Sequence, residues 1–94
     1  MLTFAYYNLK YQKHPIDNWI VVKGEIRNEG SANFNLAVFR VLLSAGQQVF
    51  GSAILKVAGF RARTTKPFEV MIDGAHYEMI PKITKCEILF ESAH

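Results

Sequence analysis

Apolar and polar residues alternate with a period of two along most of this chain, the spacing of pleated strands with one buried face. From Trp19 to Asn28, one face carries Val22, Gly24, Ile26 and Asn28, and the other carries Val21, Lys23, Glu25 and Arg27. In the run that ends at Ser44, Ala37, Phe39, Val41 and Leu43 alternate with Leu36, Val38, Arg40 and Leu42. Phe68, Val70 and Ile72 oppose Glu69, Met71 and Asp73, and Cys86, Ile88 and Phe90 oppose Lys85, Glu87 and Leu89. These runs are rich in β-branched and aromatic side chains, which suit a half-buried pleated surface. No segment carries an apolar stripe at helical spacing. Residues 48–57 are the most ambiguous, since Ala53-Ile54-Leu55-Lys56 can open a helix, but Gly51 and the flanking turns favour a strand.

Turn-forming residues separate the runs. His14-Pro15-Ile16-Asp17-Asn18 and Asn28-Glu29-Gly30-Ser31-Ala32-Asn33 read as loops, and Ser44-Ala45-Gly46-Gln47 as a tight hairpin with Gly46 at positive φ. Gly59 closes the fourth run, Asp73-Gly74 reads as a further turn, and Pro81-Lys82 precedes the last strand. The pattern predicts about seven strands, at residues 2–11, 18–28, 35–44, 48–58, 64–72, 76–80 and 83–91. Strands joined by short turns, without intervening helices, predict antiparallel sheets packed face to face. The whole of 1–94 is expected to be one immunoglobulin-like β-sandwich domain.

Composition supports a folded chain. Half of the residues are hydrophobic and 13% are aromatic, too many for a disordered segment. Eleven Lys and Arg against eight Asp and Glu give a net charge of +3, with the basic residues scattered singly. That spread disfavours a dedicated nucleic-acid footprint, which clusters its cations. The single cysteine, Cys86, allows no internal disulfide. No apolar stretch is long enough for a membrane-spanning helix, and residues 1–7 lack the basic and apolar regions of a signal peptide.

The stretch from Ile20 to Ile72 resembles the FxLYD family of small immunoglobulin-like domains. Val22-Lys23-Gly24-Glu25-Ile26-Arg27-Asn28-Glu29-Gly30 is similar to that family's opening strand and turn. Val38-Phe39-Arg40-Val41-Leu42-Leu43 with Gly46 resembles its second strand, and Phe60 to Ile72 its later Thr-x-x-x-Phe-x-Val phrase. Ser44-Ala45 stands where the family has an acidic residue, and Arg61-Ala62-Arg63 where it has Pro-Gly. The resemblance implies a sandwich fold and an extracytoplasmic or envelope-associated setting beside other modules. It carries over no catalytic or ligand residues. Gly24 on an inward face predicts close approach of the opposing sheet or of an aromatic such as Phe39. Asn28, at a strand end, is placed to bond the backbone of its own turn.

Candidate chemistry is sparse. His14, His76, Cys86 and His94 show no zinc-motif spacing, so no metal is expected. Cys86 lies mid-strand on the inward face, the position of a small hydrophobe rather than of a nucleophile. There is no Gly-x-Ser-x-Gly and no phosphate loop, and Glu25, Glu69 and Glu87 are all predicted outward. The sequence therefore predicts a non-enzymatic interaction or spacer module without cofactor, expected to be part of a longer or envelope-associated protein.

Surfaces are more informative. Leu36, Val38, Leu42 and Trp19 fall on outward positions where a solitary sandwich needs no apolar side chain, and Val21, Met71 and Leu89 add to that surplus. They form the expected interaction surface, for another protein, a neighbouring domain or a weak homodimer. Lys56, Arg61, Arg63 and Lys66 form an alternative surface for an anion or nucleic acid. Tyr6, Tyr7 and Tyr11 are a third candidate, a platform for carbohydrate or peptide.

Overall fold

The structure is a computed structural model that describes residues 3–94. Among the described residues there are six strands: β1 (Phe4–Lys13), β2 (Trp19–Asn28), β3 (Phe34–Ala45), β4 (Gln48–Phe60), β5 (Thr65–His76) and β6 (Lys85–Ala93). They form two antiparallel three-stranded sheets, β1-β2-β5 and β4-β3-β6, here called sheets A and B. The chain crosses between sheets after β2, β4 and β5. The predicted start of the first strand at Leu2 lies outside the described residues.

The two sheets bury one shared core. Ile20, Val22, Ile26, Phe68 and Ile72 come from sheet A, and Ala37, Phe39, Val41, Leu43, Leu55, Val57 and Ile88 from sheet B. The inward faces of β2, β3 and β6 are the ones that the alternation predicts. Phe4 fills one end of the sandwich. Its ring stacks on Phe60 and Phe90 at 5.9 and 5.4 Å and meets Phe39 edge-on at 4.9 Å. Such offset and edge-on pairs add to the burial of the rings themselves.

Two predicted elements differ. The seventh strand, expected at 76–80, is a 3-10 helix, Tyr77–Lys82, with Pro81 inside it. His76 caps its start by accepting from the Glu78 N–H at 3.2 Å, and Met79 and Ile80 pack against the core. The 3-10 turn satisfies backbone groups locally, as where the Ile83 N–H donates to the Ile80 carbonyl at 3.2 Å, without a neighbouring strand. Asp73-Gly74 is not a turn either. β5 continues through it to His76, with Gly74 at φ +89° and the pairing with β2 jumping from Ile20–Ile72 to Trp19–His76. The positive φ is absorbed as a bulge.

Close approaches occur at two glycines. A methyl group on Gly24 would meet Leu9 Cδ2 at 2.8 Å and the Phe68 ring at 3.1 Å. Phe68 is the direct cross-strand partner of Gly24, so the aromatic comes from the same sheet, not from Phe39 opposite. Gly51 marks the close contact between sheets: a methyl there would lie 2.7 Å from Ile72 Cγ2 and 2.8 Å from Ala75 Cβ.

Asn28 ties the two crossings at this end together. It is 1% exposed, its Oδ1 accepts from the Gly30 N–H, and its Nδ2 donates to the carbonyls of Ala32 and Phe60. Its own backbone donates to Thr64 and accepts from Arg63. One amide thus joins the β2–β3 loop to the β4–β5 turn, in the local role its position in the sequence predicts.

Candidate functional site

The outer face of sheet B collects most of the surplus apolar side chains. The cross-strand rows are Leu36–Ala58, Val38–Lys56, Arg40–Ile54 and Leu42–Ser52 toward β4, and Val38–Ser92, Arg40–Leu89 and Leu42–Glu87 toward β6. Leu36, Val38 and Leu42 are half-buried by their neighbours, while Ile54 and Leu89 stand 42% and 44% exposed on either side of Arg40. The Arg40 guanidinium donates to the Glu91 carboxylate at 2.9 Å. The result is an apolar belt across three strands with an ion pair at its centre. Ile54 is not legible in the sequence, because Gly51 and the helix-compatible Ala53-Ile54-Leu55-Lys56 blur the alternation of this run and leave its faces undefined.

Trp19 does not belong to this belt. It lies at the start of β2 in sheet A, opposite His76, and is half-buried. Its sheet-mate Val21 occupies an outer-face position between Gln12 and Met71, yet is 2% exposed and lies outside the shared core. The rest of this outer face mixes Tyr7, Pro67 and Met71 with charged residues, Lys23 and Glu69 pairing across β2 and β5 at 3.2 Å.

The basic candidates separate into two groups. Lys56 and Lys66 line an open cleft of ≈ 370 Å³ between β4 and β5, together with Leu55, Pro67, Phe68 and Glu69. The Lys66 ammonium donates to the Ala58 carbonyl at 2.8 Å, which fixes it along the β4 edge. Arg61 and Arg63 are exposed in the turn between these strands and do not line the cleft. Arg63 has φ +59°, a conformation that costs a side-chain-bearing residue energy. Its N–H donates to the Asn28 carbonyl at 2.7 Å.

The tyrosines do not make a platform. Tyr6 and Tyr11 turn inward against the core, and Tyr7 alone points out. A break in register between Tyr7 and Lys10, with Asn8 at φ +55°, lets β1 change face on the way. Tyr6 donates its hydroxyl to the Ile88 carbonyl at 2.9 Å, bridging the two sheets.

The groups with reactive potential are engaged in structure. His14 Nδ1 accepts from the N–H groups of Ile16 and Asp17, both at 3.1 Å, and so shapes the β1–β2 loop. His76 Nδ1 caps the 3-10 helix, and its ring stacks on Tyr77 at 4.7 Å. Burial pushes the Cys86 thiol up from its ordinary value, the Tyr11 hydroxyl pulls it partly back, and Glu87 adds to the rise. That environment holds the sulfur as a thiol, the opposite of an activated nucleophile. Among the described residues no three His, Cys, Asp or Glu side chains gather as a metal-ligand set. No helix among the described residues is long and apolar enough to cross a membrane. Comparison with protein-family models, with curated proteins and with solved structures returns no match.

Proposed function

We propose that this chain is a non-enzymatic interaction module, an immunoglobulin-like sandwich that meets another protein or a neighbouring domain through the outer face of sheet B. The observation that carries the reading is the belt of Leu36, Val38, Leu42, Ile54 and Leu89, which runs across all three strands of sheet B with Ile54 and Leu89 exposed. Cross-strand apolar pairs stabilise an uncovered sheet face only modestly, by about 0.2–1 kcal/mol each. Their concentration on one face therefore speaks for a contact. The sharing of one sheet by β1, β2 and β5 and of the other by β3 and β6 is in keeping with an immunoglobulin-like sandwich, although β4 lies beside β3 rather than in the first sheet.

Anion or nucleic-acid binding through Lys56, Arg61, Arg63 and Lys66 is the second reading, favoured only by the cleft that brings Lys56 and Lys66 together. A photo-cross-linking residue placed at Ile54 or at Arg63 separates the two. The first reading expects adducts from Ile54 that persist at high salt and disappear when Leu42→Lys is added. The second expects adducts from Arg63 that fall steeply as salt rises.

A further inference from the structure

Two three-stranded sheets expose four strand edges, and three of these are obstructed against further pairing. β1 is broken by the positive φ of Asn8 and carries Lys10 and Lys13. β5 has Pro67, which offers no N–H. β4 has β5 of the other sheet packed along it, with the Lys66 ammonium on its Ala58 carbonyl. β6 is the exception. From Lys85 to Phe90 it pairs with β3 without a break and contains no proline.

The direction of its free groups follows from the hydrogen bonds. The Ile88 carbonyl accepts from Tyr6 of the other sheet and so turns away from β3. Alternation then sends the N–H and C=O groups of Cys86, Ile88 and Phe90 to the open side. Tyr6 uses one lone pair of the Ile88 carbonyl and leaves the other. Phe90, stacked on Phe4, is still 38% exposed at this edge.

We propose that β6 pairs antiparallel with β6 of a second copy of this chain, with Ile88 on the twofold axis. Charge selects the register among the alignments whose N–H groups are free; an axis at Cys86 also matches Lys85 with Glu87, but it needs the Thr84 N–H, which already donates to the Ser44 carbonyl. With Ile88 opposite itself, Cys86 faces Phe90 of the second copy, Glu87 faces Leu89, and Lys85 faces Glu91. Each end of the pairing then matches a cation with an anion, and Lys85 joins the Arg40–Glu91 ion pair already present. Moving the axis to Glu87 sets that carboxylate against its own copy, and moving it to Leu89 sets Glu87 against Glu91. Like charges directly opposite destabilise a sheet pair. The sheet that results runs β4-β3-β6-β6-β3-β4 and joins the two apolar belts through Leu89.

Disulfide trapping tests the register. In a Cys86→Ser background, Glu87→Cys and Leu89→Cys are made as separate chains. Glu87 and Leu89 of the second copy form a non-hydrogen-bonded pair, whose Cα separation of about 4.5 Å suits a disulfide. The expected result under mild oxidation is a mixed dimer from the two chains together and none from either alone. Self-cross-linking of Leu89→Cys alone would mean stacked faces and overturn the proposal, as would a mixture that stays monomeric.

Sedimentation equilibrium supplies a second readout without engineered cysteines. Lys85→Glu and Glu91→Lys each put like charges opposite, and each should self-associate about tenfold more weakly than the original chain. Mixed in equal amounts they present opposite charges again and should recover the original affinity. An original chain that is monomeric at millimolar concentration, or a mixture that recovers nothing, contradicts the pairing. The outer-face contact fails separately, since Leu42→Lys leaves this register intact.

Discussion

At the scale of single residues, the sequence was most informative where chemistry is local. Asn28 was legible as a turn-bonding residue because an Asn at a strand end has its partners two to four residues away. Its bond to Phe60, 32 residues distant, was not legible. Asn28→Ala leaves the Gly30 N–H and two carbonyls without their partner inside the fold, at a cost of about 1–3 kcal/mol. Urea unfolding should show the midpoint falling with the slope unchanged. Gly24 was legible as a close approach but not as to its partner, since the cross-strand register that selects Phe68 is not written locally. Burial raises Cys86 from its ordinary 9.0 and both Tyr6 and Tyr11 from 10.0. The folded state thus favours the neutral form of all three, so their contribution is complete below these ordinary values. It is lost as pH rises past 9.0, where the unfolded thiol ionises first. Thermal melts should be flat through neutrality and fall in the alkaline range, and the fall should begin later in Cys86→Ala.

At the scale of elements, period-two alternation assigned the faces of β2, β3 and β6, because those strands pack one side on the core. It mistook two features near residues 73–82. A Gly at positive φ serves a bulge as well as a turn, so Asp73-Gly74 gave no way to decide between them. Tyr77–Lys82 mixes apolar and polar residues over too short a span to separate strand from 3-10 helix. The β4–β5 turn supplies a test in the other direction. Arg63 holds φ +59°, so Arg63→Gly should stabilise the domain by about 0.5–1 kcal/mol in chemical unfolding. A destabilised variant would mean that the Arg63 side chain makes contacts that outweigh the backbone strain.

At the scale of the whole molecule, the two-sheet architecture was legible and the location of its apolar surplus was only partly so. Leu36, Val38 and Leu42 share one face with Leu89 because β3 lies centrally in sheet B, flanked by β4 and β6. Trp19 belongs to the other sheet, and no pattern within one strand reveals which sheet a strand will join. The basic residues likewise divide between a cleft and a turn, since the β4–β5 crossing sends the strands on either side of Arg61 and Arg63 into different sheets. The central claim is that contact is made through the apolar face of sheet B. Its most direct test is photo-cross-linking from Ile54 in the protein in its own cells, with Arg63 and Lys23 as comparison positions. The account predicts salt-resistant adducts from Ile54, lost with Leu42→Lys, and none from Lys23. Adducts that arise from Arg63 alone and vanish as salt is raised would contradict it.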